Sequence, residues 1–302
     1  MEGLLPFTGC AILLGFVITL REATASGADW SLFVIAAVAA LLVHIDGHIL
    51  NDIMDLEIDR HEKSKETRRD RPLVFGWATV SEYRRISLMV TSVVVILAAY
   101  LTTHRIFIPL LFVIGFFFDY GYNHPRIALA HKPWTEWYIF PWLVVGVTMT
   151  VVYAATGLFS SLAFILSLML GLTATCFVVS MMRRDAISDR LGGKLTSSVL
   201  YPAFPHATFY GIVTLITPVL MFRPLAGVLG NPEPAYVIIL VTVITAAVTT
   251  TLGAEIDQLF TRARYSIFPD FERRANNLML MQVGISTVYA VGISAIVMIW
   301  GG

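Results

Sequence analysis

The chain has 302 residues, of which 57% are hydrophobic and 14% charged, with a mean hydropathy of +0.74 and a formal net charge of zero. A soluble globular protein carries about 25% charged residues, so this chain has too few to cover a water-facing surface. A soluble enzyme, a disordered chain and a nucleic-acid binder are excluded, and Cys10 and Cys176, both inside apolar runs, exclude a disulfide framework.

A helix needs about 20 apolar residues to cross the hydrocarbon. In chain order the apolar blocks predict nine spans, at 4–20, 29–50, 86–103, 106–121, 137–156, 158–182, 205–222, 234–253 and 279–300. Runs such as Val93-Val94-Val95-Ile96-Leu97 lack the alternation of a membrane barrel. The expected fold is therefore all-α: a polytopic membrane protein forming a single domain over 1–302. It divides into two four-helix pseudo-repeats, about 4–121 and 137–253, plus a final helix at about 279–300. Ala23-Thr24-Ala25 gives the first span a rival reading as a signal peptide. Met1-Glu2-Gly3, however, lacks the basic residue that such a leader carries.

The basic residues set the orientation. Arg60, Lys63, Lys65, Arg68, Arg69, Arg71, Arg84 and Arg85 lie between spans 2 and 3, Arg126 and Lys132 between 4 and 5. Arg183, Arg184, Arg190 and Lys194 follow span 6, and Arg262, Arg264, Arg273 and Arg274 follow span 8. Of the 21 Lys and Arg, only Arg21, Arg105 and Arg223 fall on the other side. These four loops are expected to be cytoplasmic, with the N-terminus inside and the C-terminus outside.

Acidic residues gather at two places on that side. The run Asn51-Asp52-Ile53-Met54-Asp55-Leu56-Glu57-Ile58-Asp59 ends span 2, and Asp185-Ala186-Ile187-Ser188-Asp189 follows span 6. At about 100° per residue, His44, His48, Asn51, Asp52, Asp55 and Asp59 share an arc of about 100°, with Asp46 and Glu57 outside it. Asp185 and Asp189, four apart, share a face if the helix continues. Four spans separate the clusters, so both face the same compartment. A solvated membrane flank is the plain alternative, but clustered like charges repel and intramembrane acids are costly. Oxygen ligands with few His suit Mg²⁺, typically held by carboxylates together with substrate phosphates. Arg68, Arg69, Arg71, Arg126, Lys132 and Lys194 are candidate phosphate partners, although each also serves as a topology signal.

The run Asn51-Asp52-x-x-Asp55-x-x-x-Asp59, followed by Arg71-Pro72-Leu73-x-x-Gly76, resembles the signature of UbiA-type intramembrane prenyltransferases. Asp185-x-x-x-Asp189-Arg190-x-x-Gly193-Lys194-x-Thr196 is similar to that family's second aspartate motif. The resemblance implies Mg²⁺-dependent ionisation of an isoprenyl diphosphate, such as geranylgeranyl diphosphate, and transfer of the allylic carbon to an acceptor in the membrane with release of diphosphate. It implies that Asn51, Asp52, Asp55, Asp59, Asp185 and Asp189 are metal and diphosphate ligands and that Arg71 and Lys132 contact diphosphate, with Tyr122 through Lys132 loosely matching the family's Tyr-x-x-x-Lys-Arg pattern. Members that prenylate benzoates carry Arg where this chain has His44, and imidazole lacks the bidentate fork. His44 and His48 are read instead as contacts to an acceptor hydroxyl or as proton acceptors, against the plain reading of packed histidines.

Phe116, Phe117, Phe118, Tyr120, Tyr122, Trp134, Trp137 and Tyr138 are candidates either for the interfacial aromatic belt or for stabilising an allylic cation. The 254–278 stretch, with Phe260, Tyr265, Ile267, Phe268 and Phe271 around Pro269, reads as an interfacial lid or as a connector. The rival functions are a membrane-embedded terpene cyclase, with the same ionisation but no second substrate, and a cation or lipid transporter. Transporter sites lie near the midplane on broken helices, whereas these acids lie at the membrane edge.

Overall fold

The computed structural model describes residues 5–60, 72–265 and 271–300. Nine long helices run through them, and no strand occurs among the described residues. They are α1 (Leu5–Ser26), α2 (Trp30–Met54), α3 (Val80–His104), α4 (Ile108–Asn123), α5 (Thr135–Thr156), α6 (Ser161–Leu191), α7 (His206–Leu229), α8 (Pro232–Tyr265) and α9 (Phe271–Ile299). Eight of these are long and apolar enough to cross a membrane; α4, at 16 residues, is the shorter ninth.

Local chemistry marks the helix ends. The Asp29 carboxylate accepts from the Ser31 and Leu32 N–H groups (3.1 and 3.2 Å) and starts α2. Thr79 and Glu82 form a reciprocal capping box at the start of α3. Ser160 accepts from the Ala163 N–H (3.0 Å) and starts α6. At the far end of α5 the Arg105 guanidinium donates to the Ala154 and Ala155 carbonyls (2.9 and 3.2 Å), satisfying groups a helix terminus leaves open. Arg105, one of three basic residues on its side by sequence, thus also has a structural role.

α6 is the axis of the bundle. It packs against α1, α5, α7, α8 and α9, while α1 closes onto α5 and α9, and α2 joins α3 to α5. Leu14 and Ile18 of α1 and Leu166 and Leu170 of α6 are fully buried in the main core. α1 is therefore a structural helix of the bundle. Toward the outside, α3 and α4 expose Leu88, Ile96, Leu110 and Val113, as lipid contact requires. Cys10 and Cys176 are both free and buried.

Several helices exceed their expected bounds, two of them at the C-terminal end by nine residues or more. α6 continues to Leu191 rather than stopping at 182, and α8 runs to Tyr265, so 254–265 is helix rather than loop. A buried ion pair links the two extended segments. The Arg183 Nε lies 2.9 Å from Asp257 Oδ1, its Nη2 donates to the Pro202 carbonyl (2.9 Å), and its guanidinium stacks 3.9 Å from the Phe260 ring centre. Arg183 is 1% exposed, so this residue, taken from sequence as a loop cation, binds α6 to α8 instead. Ile267, Phe268 and Pro269, the middle of the suggested lid, lie outside the described residues.

Candidate active site

α2 ends at Met54. Asp55 (φ −88°, ψ 4°) leaves helical geometry, and one turn, Leu56–Asp59, resumes beyond it. The Asp55 N–H still bonds to the Asn51 carbonyl (2.8 Å) and the Asp59 N–H to the Asp55 carbonyl (2.7 Å). The polar stripe therefore keeps its spacing across the break. His44, His48, Asn51, Asp55 and Asp59 all line one cavity of about 480 Å³. Asp52 shares the predicted arc but is buried outside the cavity. Asp46, outside the arc, is buried where it accepts from the Thr91 hydroxyl (2.6 Å), and Glu57 pairs with Arg60 at 2.7 Å in an exposed position.

Because α6 continues, Asp185 and Asp189 line the same cavity. The end of α6 then turns on two glycines. A Cβ at Gly192 would lie 2.7 Å from Ile58 Cγ1, so glycine lets this turn rest directly on the Leu56–Asp59 turn. Gly193 takes φ +78°, a conformation other residues adopt at a cost. The Lys194 N–H closes onto the Asp189 carbonyl (2.8 Å), and the side chain turns inward. Its Nζ lies 3.0 Å from Asp55 Oδ2 and 3.9 Å from Asp189 Oδ1. The two acid motifs, more than a hundred residues apart in sequence, meet at one ammonium.

A third loop reaches the same point. His131, at the end of a 3₁₀ turn after α4, places Nε2 2.9 Å from Asp55 Oδ1, and the Asn51 amide donates to Asp55 Oδ2 (3.2 Å). Burial alone would raise the Asp55 pKa, but Lys194 and His131 outweigh it and hold the carboxyl well below its usual range. Burial likewise opposes the charge on Lys194, and Asp55 and Asp189 outweigh it and hold the ammonium above its usual range. On α6, the Arg184 Nε and Nη2 grip Asp185 at 2.5 and 2.7 Å, and its Nη1 donates to Asn276 Oδ1 of α9 (2.6 Å).

Of the other cations expected from sequence, Arg68 and Arg69 lie outside the described residues. Arg126 and Lys132 are exposed and do not line the cavity, and Arg71 lies outside the described residues. The neighbour of Lys132 is the group that reaches Asp55, because the 3₁₀ turn sends His131 inward and Lys132 out. Among the aromatic candidates, Phe118 and Tyr122 line the cavity, while Phe117, Tyr120 and Tyr138 are exposed on the outside. Trp134 and Trp137 pack with Tyr201, His206 and Tyr210 instead. Phe7, Phe140 and Phe177 line the cavity without having been singled out by sequence. So do Asp119 and Asn123 of α4. An acid inside an apolar span is the signal that would have found Asp119.

The donor set tests the fit of a cation. Among the described residues, no three His, Cys, Asp or Glu side chains converge closely enough to hold an ion alone. Mg²⁺ usually takes one or two carboxylates and fills its remaining positions with water and substrate phosphate. Separated carboxylates around a cavity suit that arrangement, and Lys194, set between Asp55 and Asp189, already marks a place for positive charge.

The geometry defines a class: a helical protein with membrane-spanning helices, whose buried acids close one end of an apolar-walled cavity. The chain belongs to the UbiA prenyltransferase family, whose model matches residues 11–254. Solved structures share the fold, three of them as follows. One is a UbiA homologue from Archaeoglobus fulgidus bound to GPP and Mg²⁺, with 14% identity and a TM-score of 0.64 over 98% of this chain and 100% of that one. Another is the apo form of a UbiA homologue from Aeropyrum pernix K1, with 19% identity and a TM-score of 0.60 over 94% and 97% of the two chains. The third is described as a digeranylgeranylglyceryl phosphate synthase, with 17% identity and a TM-score of 0.61 over 99% of each chain. No curated protein sequence matches the chain.

Proposed function

We propose that the protein transfers an isoprenyl group from an isoprenyl diphosphate to an acceptor within the membrane, with Mg²⁺ as cofactor, releasing diphosphate. The observation that carries this reading is the meeting of Asp55 and Asp189 at Lys194, at one end of a cavity walled by Ala40, Val43, Phe140, Val144, Phe177 and Met181. Asp55, Asp59, Asp185 and Asp189, with the Asn51 amide oxygen, would hold Mg²⁺, which offsets the charge that develops on the leaving diphosphate. Lys194 and Arg184, the cations among the described lining residues, supply further positive charge there. The apolar wall holds the isoprenyl chain and keeps water from the allylic carbon. The ring faces of Phe118, Tyr122, Phe140 and Phe177 are placed along the cavity, where an aromatic contact to a desolvated cation is worth up to about 2 kcal/mol. We place this end on the cytoplasmic side, following the bias of the basic loops.

Purified protein given geranylgeranyl diphosphate, Mg²⁺ and a panel of acceptors should release diphosphate and form a prenylated acceptor. Release should stop with EDTA and resume with added Mg²⁺. Absence of Mg²⁺-dependent release for every isoprenyl chain length contradicts the proposal. Release with only an intramolecular product assigns the protein to cyclisation instead.

A further inference from the structure

The cavity has a second polar pole. Thr8, His44, His48, Asp119 and Asn123 all line it, on the side of α2 that precedes the diphosphate pole. A Cβ at Gly47 would overlap Asp119 Oδ1, so the Asp119 carboxylate lies directly on the α2 backbone. Gly47 precedes Asn51 by one helical turn, about 6 Å, and Asp55 by about 12 Å. The Asn123 Nδ2 donates to the Asp119 carbonyl (3.0 Å) and, at 3.5 Å, to its carboxylate. Asn123 is 6% exposed, and its Oδ1 is buried without a hydrogen-bond partner. An unpaired buried amide oxygen next to a carboxylate makes this pole rich in hydrogen-bond acceptors. The two histidines beside it are already engaged, His44 Nδ1 with the Thr8 hydroxyl (2.9 Å) and His44 Nε2 with His48 Nε2 (3.1 Å).

We propose that Asp119, oriented by Asn123 against Gly47, receives the proton of the acceptor, and that the acceptor is a neutral molecule bearing a hydroxyl group. The inference rests on the prenyl-transfer reading above and adds the class of second substrate. Two observations select it. Among the described lining residues, Lys and Arg occur only at the diphosphate pole, away from Asp119. The carboxylate that is present repels an acceptor carboxylate or phosphate. In the reaction, the acceptor's hydroxyl oxygen forms a C–O bond to the allylic carbon as the bond from that carbon to diphosphate breaks. The electron pair of the broken bond leaves with diphosphate, and the hydroxyl proton passes to Asp119. General-base groups of this kind contribute about 10²–10⁴-fold to rate.

The test uses the full chain in lipid nanodiscs. Binding of radiolabelled geranylgeranyl diphosphate with Mg²⁺ is measured beside transfer to matched long-chain acceptors ending in an alcohol or in a carboxylate. The wild type should prenylate the alcohol and not the carboxylate. D119N should bind the diphosphate within about 3-fold of wild type and lose at least about 10²-fold in transfer to the alcohol. Its preference for the neutral acceptor should shrink. G47A, which keeps the carboxylate but displaces it, should lower transfer in the same direction with binding retained. Wild-type transfer with D119N and G47A both unimpaired, or a wild type that favours the carboxylate, overturns the inference and leaves the prenyl-transfer reading standing. A wild type that neither binds nor consumes the diphosphate removes that reading, and the inference falls with it.

Discussion

Replacing Asp55 with Asn should lower isoprenyl transfer by about 10²–10³-fold, the loss that follows removal of one preorganised electrostatic partner of a developing charge. Asp55 stands where α2 breaks, and three loops converge on it through its own backbone, His131 and Lys194. Asn preserves the shape and can still accept a hydrogen bond from Lys194, but it lacks the charge that draws Mg²⁺ and sets the lysine in place. Asp189 remains 3.9 Å from Lys194, so the ammonium keeps a partner and the fold should survive. Turnover with saturating Mg²⁺ checks the loss, and an unfolding midpoint near that of the wild type separates chemistry from folding. Unchanged turnover in this variant refutes the role given to Asp55.

Lys194→Met has the second large effect, and it is on stability. Removing the ammonium takes from the buried Asp55 and Asp189 the cation they share, leaving Asp55 with His131 and Asn51, and breaking a buried pair by removing one partner costs about 3–5 kcal/mol. Asp55 is held below its usual pKa, so its contribution is complete above the unfolded value of about 3.9 and is lost as pH falls through the folded value. Lys194 is held above its usual pKa, so its contribution is complete below about 10.4 and is lost as pH rises through the folded value. The wild-type pair should therefore be flat across neutral pH. In the variant, Mg²⁺ should replace the missing charge, because an ion that binds only the folded state adds about 2.7 kcal/mol at 100 times its dissociation constant. Thermal unfolding in detergent checks this: a lowered midpoint in EDTA, with a larger rise on adding Mg²⁺ than the wild type shows. A variant as stable as wild type in EDTA contradicts the bridging role.

Much of this architecture was legible because membranes impose simple rules. Twenty-residue apolar blocks located the helices, and the i, i+4, i+7, i+11 and i+15 spacing from His44 to Asp59 brought five side chains to one cavity. What escaped depended on contacts between distant segments. Nothing near Arg183 in sequence announces that Asp257 and Phe260 will bury it, so a structural cation was read as a loop charge, and the last turns of α8 as the start of a lid or connector. The pair His131-Lys132 shows the same limit at finer scale. Charge favoured the lysine, whereas one residue of turn geometry decided which of the two faces Asp55. Asp119 was readable in principle as a lone acid within an apolar span, but the aromatic run around it drew the attention.

The central claim is that Asp55 and Asp189 jointly hold a divalent cation and, through it, a diphosphate. A structure determined with geranylgeranyl diphosphate and Mn²⁺, the metal located by its anomalous scattering, tests it most directly. The account predicts Mn²⁺ within coordination distance of both Asp55 and Asp189, bridged to diphosphate, with the isoprenyl chain running past Phe140 and Phe177. Diphosphate bound away from these acids, or metal held by one motif while the other stays paired with Lys194, would contradict it.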